Sequence, residues 1–181
     1  VLNADAVEFA KAAGIEIYCK STFGDDSVQT VVKEKCAGSG GLAGTARRKD
    51  IVKCEFRHEG AGAGIFHECL KNHDIATHLF ALDAGGGKAS AFFELESNTC
   101  FGRFAEELSG RRDVKFVFTR GLGSVSLIGG AIADPEMIHG FMDLTGGVSS
   151  DIFAQPGSLT AVMPIDSVEN IHVKIHERFF R

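Results

Sequence analysis

The 181-residue chain contains no tryptophan, one tyrosine and three prolines. It therefore nearly lacks the large amphipathic aromatics that stack on bases or sugar rings. Positive charge is also scarce: 19 Lys and Arg stand against 24 Asp and Glu, a formal charge of −5. That excludes a general phosphate-backbone binder, which needs a net positive face. No apolar run approaches the ~18 residues of a membrane helix. The opening stretch VLNADAVEFAKAAG has no basic region followed by an apolar one, so no signal peptide is expected. The five cysteines (Cys19, Cys36, Cys54, Cys69, Cys100) are odd in number, widely spaced and form no C-x-x-C pair. They read as scattered thiols in a reducing, cytoplasmic compartment rather than a disulfide frame or a zinc site.

What the chain does have is phenylalanine, 15 copies of it, and a 44% hydrophobic fraction. Both suit a globular core. Residues 1–35 read as helix then strand. Ala4, Val7, Ala10 and Lys11 fall on helical spacing and Gly14 stops the helix. The stretch IEIYCKSTF alternates as a strand. The segment DDSVQTVVKEK fits either type of element. CAGSGG (36–41) is the candidate linker, and LAGTARR (42–48) has room for one short strand.

From residue 50 one pattern occurs twice. IVKCEF (51–56) alternates as a strand, and GIFHECLKNH places Ile65, Phe66, Cys69 and Leu70 on one helical face. IATHLFAL (75–82) and KASAFFELE (88–96) form a hairpin about DAGGG (83–87). CFGRFAEEL is a helix with Phe101, Phe104, Ala105 and Leu108 on one side, and DVKFVF (113–118) is a strand. This β-α-β-β-α-β order is the ferredoxin-like unit. The second copy starts at GSVSLIGG (123–130). Asp134-Pro135-Glu136 opens its helix with a cap, an N1 proline and an early acid. Met137, Ile138, Phe141 and Met142 form the buried stripe. Strands at 148–154 and 158–165 meet at Gln155-Pro156-Gly157, and a last helix (166–180) is capped by Asp166 or Ser167. Val52, Ile75 and Phe80 correspond to Val125, Val148 and Phe153, a constant shift of 73 residues. The second copy lacks a fourth strand, and an uncapped sheet edge is a hazard. The spare strand 42–48 is expected to fill it, which inserts the first unit into the second.

The stretch HEGAGAGIF (58–66) carries the most chemistry. It is a glycine-rich turn between a strand and a helix start, where backbone N–H groups lack helical partners and the dipole favours an anion. Glycines let a ligand approach, and an α-carboxylate suits such a site. A tight turn with nothing bound fits the same residues. Gly38-Ser39-Gly40 with Ala43 matches G-x-G-x-x-A, but TARRKD is a poor helix opening for a dinucleotide site. Gly85–Lys88 lacks the P-loop spacing. His67-Glu68 does not continue to H-E-x-x-H, and His172 and His176, four apart, lack a third ligand. His58, His67, His73 and His78 fall on different faces of three elements. No nucleophile–base–orienter set is visible, so neither catalytic nor metal residues are expected.

The first 23 residues resemble the end of the catalytic domain of aspartate kinases, Val-Leu-His-Pro-x-Ala-[aliphatic]-Glu-Phe-Ala, then Arg-Ser-[Ser/Thr]-Phe after a strand. Val1, Leu2, Ala6, Val7, Glu8, Phe9, Ala10, Ser21, Thr22 and Phe23 match; Asn3, Ala4 and Lys20 depart. The remainder is similar by pattern to the interleaved pair of ACT domains that follows in that family. The resemblance implies an α+β fold of two ferredoxin-like βαββαβ (ACT) domains, the first inserted into the second, with helices on one face of antiparallel sheets. It divides the chain into a kinase-domain remnant (1–35), a linker (36–41), one ACT domain at 50–120 and a second at 42–48 plus 121–181. It implies a regulatory region that binds lysine or threonine, dimerises through its ACT domains and feeds back on a kinase domain. ATP and Mg belong to that domain, whose Lys-Phe-Gly-Gly loop is missing from this chain, and no cofactor is expected in the chain itself. No nucleic-acid or membrane partner is expected.

The effector-binding positions implied are Glu59, Gly60, Ala61, Gly62, Leu82, Asp83, Pro135 and Ile152. Gly60 matches the glycine of the family's Asp-x-Pro-Gly turn, with Arg57 and Glu59 in the Asp and Pro places. Leu82 and Asp83 stand where the family has Gln-Asn. Pro135 matches the proline of His-Pro-Gly, and Ile152 the first residue of Ile-Ser-Thr-Ser-Glu. Glu59 and Asp83 are candidates for a ligand's ammonium, and read equally as solvated loop acids. Hydrophobic side chains at Leu82 and Ala154 remove ligand hydrogen bonds, each about 0.5–1.5 kcal/mol net. An ACT pair that has lost its effector and serves only in oligomerisation is the alternative reading.

Overall fold

A computed structural model describes residues 4–20, 29–32, 41–83 and 85–180. The chain divides into two units, Val1–Gly41 and Leu42–Arg181. In the first, helix α1 (Ala4–Ala12) is followed by strands β1 (Ile17–Lys20) and β2 (Gln29–Val32), which pair antiparallel. Gly14 ends α1 at φ 65°, the left-handed conformation that glycine adopts without steric cost. The N–H of Ile15 then closes back on the carbonyl of Ala10 at 2.8 Å. The segment that fitted either element contains β2, whose sequence QTVV is rich in β-branched residue types. Positions 21–23 of the expected strand and 36–40 of the expected linker lie outside the described residues.

The second unit is one six-stranded antiparallel sheet in the order β4-β5-β3-β6-β8-β7. Its strands are β3 (Leu42–Arg57), β4 (Leu79–Asp83), β5 (Lys88–Glu94), β6 (Val117–Gly129), β7 (Asp151–Gln155) and β8 (Ser158–Pro164). The helices are α2 (Gly62–Asn72), α3 (Phe101–Ser109), α4 (Pro135–Thr145) and α5 (Ile165–Phe180), with a short 3₁₀ turn at Gly130–Ala133.

Two long strands organise this sheet. The later half of β3, Ile51–Arg57, lies between β5 and the start of β6. The earlier half pairs with the end of β6, Thr45 with Leu127 and Arg48 with Ser124, and so supplies the fourth strand beside β8 and β7. Two βαββαβ motifs result, the first inserted within the second.

The sequence suggested separate strands at 42–48 and 51–56, and again at 113–118 and 123–130. The structure joins 42–48 to 51–56 in β3, and 117–118 to 123–129 in β6; residues 113–116 precede β6 and are not strand. The register steps from Arg48↔Ser124 to Ile51↔Leu122 and then to Lys53↔Thr119. The first step leaves an extra residue on β3, the second an extra residue on β6. These are β-bulges, and each extra residue compensates for the other. Asp50 at φ 56° and Gly121 at φ 74° sit at the two irregularities. Gly123 is close-packed beside these bulges, because a Cβ there would stand 2.7 Å from both the Arg48 carbonyl oxygen and Val168 Cγ2.

The helices cover one face and create two cores. In the first motif Val52, Cys54, Phe56, Ala91 and Phe93 meet Phe66 and Cys69 of α2 and Phe101, Phe104 and Leu108 of α3. In the second, Val125, Leu127, Ala161 and Met163 meet Phe141 of α4 and Val168, Ile171 and Ile175 of α5. Met142, expected in the α4 stripe, is instead 51% exposed. Helix α5 begins at Ile165, so Asp166 lies in its first turn rather than at the cap.

The opposite face carries a third cluster of Ile51, Leu79, Phe92, Leu122 and Val162, joined by Phe153. Phe92 on the second strand meets Phe153 on the sixth at 5.1 Å, edge to face, so the sheet curls until its far strands touch. Lys53 bridges the same curl, 3.1 Å from Asp151 and over the Phe92 ring. Phe92→Ala is expected to lower unfolding free energy by about 3–5 kcal/mol in urea melts. A double-mutant cycle with Phe153→Ala should return a coupling of about 0.5–1.5 kcal/mol; additivity would show that the curl does not depend on that contact.

Candidate functional site

The turn that joins β3 to α2 is built on two glycines with different reasons. Gly60 sits at φ 64°. Gly62, the first residue of α2, leaves no room for a Cβ against the Arg57 carbonyl oxygen. The helix start is thus pressed onto the strand end. Ala61 occupies the N-cap position and offers no side-chain hydrogen bond; the first N–H of α2, that of Gly62, reaches back to the Glu59 carbonyl at a long 3.4 Å, a contact that a better acceptor can replace. The N–H of His58 donates to the carbonyl of Gly87 at 3.1 Å, which sets this turn beside the 83–87 hairpin.

Four predicted residues, Glu59 to Gly62, therefore adjoin the hairpin that bears Leu82 and Asp83. Both acids already have partners. Glu59 holds Arg57 at 3.1 Å on the surface, and Asp83 Oδ1 accepts from the N–H of Gly86 at 2.9 Å. Leu82 is 61% exposed on β4, an edge strand.

Between α2 and the β3–β4 side of the sheet lies a cavity of about 370 Å³, lined by Phe56, His58, Ala63, Phe66, His67, Leu70, Thr77, Phe80 and Leu82. Of the predicted residues only Leu82 lines it. Phe56 and Phe66 stack at 4.4 Å to form its floor, and Phe80 stands 6.3 Å from Phe66. His58 Nε2 is buried without a hydrogen-bond partner among the described residues. His58 and His67, expected on different faces, share this cavity; His73 instead pairs with Glu107. The sequence did contain the signal: Phe80 alternates onto the helix face of its strand, and His67 follows Ala63 by four residues.

In the second motif Asp134 caps α4 by accepting from the N–H of Glu136 at 2.9 Å, with Pro135 at N1. Pro135 borders a separate cavity of about 420 Å³ with Glu136, His139 and Arg178. Ile152 lies on the edge strand β7 and lines neither cavity. The predicted positions of the two motifs thus do not converge within one chain. His172 bonds Thr45 Oγ1 at 2.9 Å while His176 stacks on Phe180, so the two histidines have different partners. Among the described residues no group of His, Cys, Asp and Glu is arranged to hold a metal ion.

One titratable cluster links α2 to α3. Cys69 donates to Glu107 Oε1 at 3.2 Å, and His73 Nε2 lies 2.8 Å from Glu107 Oε2. Burial first, and the hydrogen bond to Glu107 second, push the Cys69 thiol up to about 11. A thiol held protonated is no nucleophile at neutral pH, so the cluster fastens the two helices. The His73 hydrogen bond holds the Glu107 carboxyl below its ordinary range. Such a group stabilises the fold fully above its unfolded pKa, about 4.3, and the contribution is lost as pH falls through the folded value. Glu107→Gln should therefore flatten the stability–pH curve below about pH 4.5, read from urea midpoints between pH 3 and 6; an unchanged slope would remove Glu107 from the acid response.

Solved structures supply the comparison. Aspartokinase III of E. coli, determined in complex with lysine and aspartate, superposes with a TM-score of 0.79 at 17% identity, over 100% of this chain and 42% of its own. The aspartate kinase of Clostridium acetobutylicum gives 0.78 at 15% identity, over 99% of this chain and 45% of its own. The ligand-free regulatory subunit of aspartate kinase from Thermus thermophilus gives 0.65 at 13% identity, over 77% of this chain and 99% of its own. The chain has the fold of aspartate kinase regulatory regions. It spans less than half the length of the two full kinases. No family model and no curated protein matches it by sequence.

Within this fold the α2 turn is the place where a side chain is least tolerated. Gly62→Ala should cost about 1–3 kcal/mol in denaturant melts, since the new methyl meets backbone rather than a movable side chain. Gly64→Ala, where a Cβ meets nothing within 4 Å, is the control and should be neutral or stabilise by up to about 1 kcal/mol.

Proposed function

We propose that the chain is the feedback-regulatory ACT pair of an aspartate kinase, acting in the cytoplasm. It binds an amino-acid effector, lysine or threonine, and forms a homodimer through its ACT domains. The observation that carries this reading is the reach of the similarity. Full-length kinases cover 98–100% of the chain, whereas isolated regulatory subunits cover 77%, a share the size of the Leu42–Arg181 unit. The excess matches in extent the first unit, whose sequence resembles the end of a kinase domain. ATP and Mg serve that domain in the parent protein.

The site proposed for the effector is the α2 turn and its neighbouring cavity. The α-carboxylate is received by the N–H groups at Ala61–Gly62, with that of Gly62 giving up its 3.4 Å bond to the Glu59 carbonyl. Glu59 or Asp83 takes the ammonium, at the expense of its present contact with Arg57 or Gly86. The aliphatic part lies against Leu82 and Phe80. Phe80 is 46% exposed on the edge strand beside Leu82, and this edge supports the proposed dimer. An effector that favours one orientation of the ACT pair biases an attached kinase by linkage.

The engaged state of both acids and the apolar Leu82 favour a second reading, an ACT pair that oligomerises without an effector. Thermal melts and calorimetric titration with lysine, threonine and methionine separate the two. A bound effector at ~100 times its Kd stabilises by about 2.7 kcal/mol. Silence towards all three, with a stable dimer in sedimentation, overturns effector binding and leaves the oligomerisation module.

A further inference from the structure

The face of the first motif that points away from the helices carries a row of three cations. Arg57 and Lys88 are direct cross-strand partners on β3 and β5. Glu55 pairs with Val117 on the other side of β3, which brings Lys115, two residues earlier, alongside Arg57. All three surround a cavity of about 320 Å³ bordered also by Glu55, Phe56 and Val117. Like charges directly opposite one another on a sheet destabilise it. Such a row, on two paired strands and the residues leading into a third, gathers positive charge in a chain of net charge −5.

The acids nearby form no ion pair with either lysine of the row. Glu55 is held by Lys53 at 3.3 Å. Asp83, the cross-strand partner of Lys88 in the hairpin, accepts from Gly86. Glu59 is matched to Arg57. Among the described residues Lys88 and Lys115 have no ion-pair partner. Two unmatched positive charges thus flank an open cavity, with a guanidinium between them.

We propose that this row is a binding site for a phosphate-bearing small molecule, distinct from the effector turn. A dianionic phosphoryl group matches the two free lysines, and Arg57 adds a planar fork of donors suited to its oxygens. The bound anion also competes with Glu59 for Arg57, which ties the site to the turn before α2.

Inorganic pyrophosphate is the probe. Calorimetric titration of the full chain should show binding that weakens steeply as salt is raised. In the Lys88→Ala/Lys115→Ala variant the affinity should fall by roughly tenfold or more. No binding, or equal affinity in the variant, overturns the site; succinate binding more tightly than pyrophosphate overturns its assignment to phosphate. A second measurement needs no ligand. Lys115→Gln removes a like charge from beside Arg57 without opposing any acid across a strand pair, and should raise the melting midpoint by about 1–3 °C. A lowered midpoint contradicts the like-charge repulsion on which the site rests.

Discussion

The pair of compensating bulges on β3 and β6 governs the second unit. A strand that crosses from one motif to the next must keep its apolar residues on the helix face in both. A single inserted residue flips every side chain beyond it. At the crossing each long strand carries one insertion, at Asp50 and at Gly121, besides a further shift at the start of β3 between Leu42 and Gly44. Thr45 and Arg47 still face α5, through His172 and Glu169, while Arg48 reaches Glu94 across the other face. Ladder continuity follows from this offset, and with it a sheet whose two ends curl together at Phe92 and Phe153.

Much of this architecture was legible because its signals are local and periodic. The 73-residue shift relates Phe80 to Phe153, and both lie on border strands, but Phe80 faces Phe66 of α2 while Phe153 packs on Phe92 across the opposite face. Phe66, Phe104 and Leu108 were visible as helical stripes and are nearly or fully buried. The fusion of strands was not legible, because glycine and a left-handed aspartate break the alternation that marks a strand from sequence alone. The fault line between 118 and 123 looked like a loop and is a bulge. The start of α5 was placed late for a similar reason: Asp166 resembles a cap, yet the hydrogen-bonded turn begins at Ile165.

The candidate site divides along the same line. Its turn announced itself through glycines, one of which relieves a clash and the other a positive φ. Its cavity did not, because the walls come from α2, β3 and β4, and their separation depends on packing that no spacing encodes. The acids were likewise visible by type but not by state. Only the folded chain shows Glu59 occupied by Arg57 and Asp83 turned onto its own hairpin.

The insertion of one motif into the other also has a temporal side. During synthesis all the strands and helices of the first motif emerge before the second motif's helices exist. The early half of β3 must therefore wait, unpaired, until residues 124–129 arrive. The inner motif can nucleate on short-range contacts, whereas the outer one closes a loop about 80 residues long. Maturation in two stages, nested rather than sequential, is built into the order of the chain.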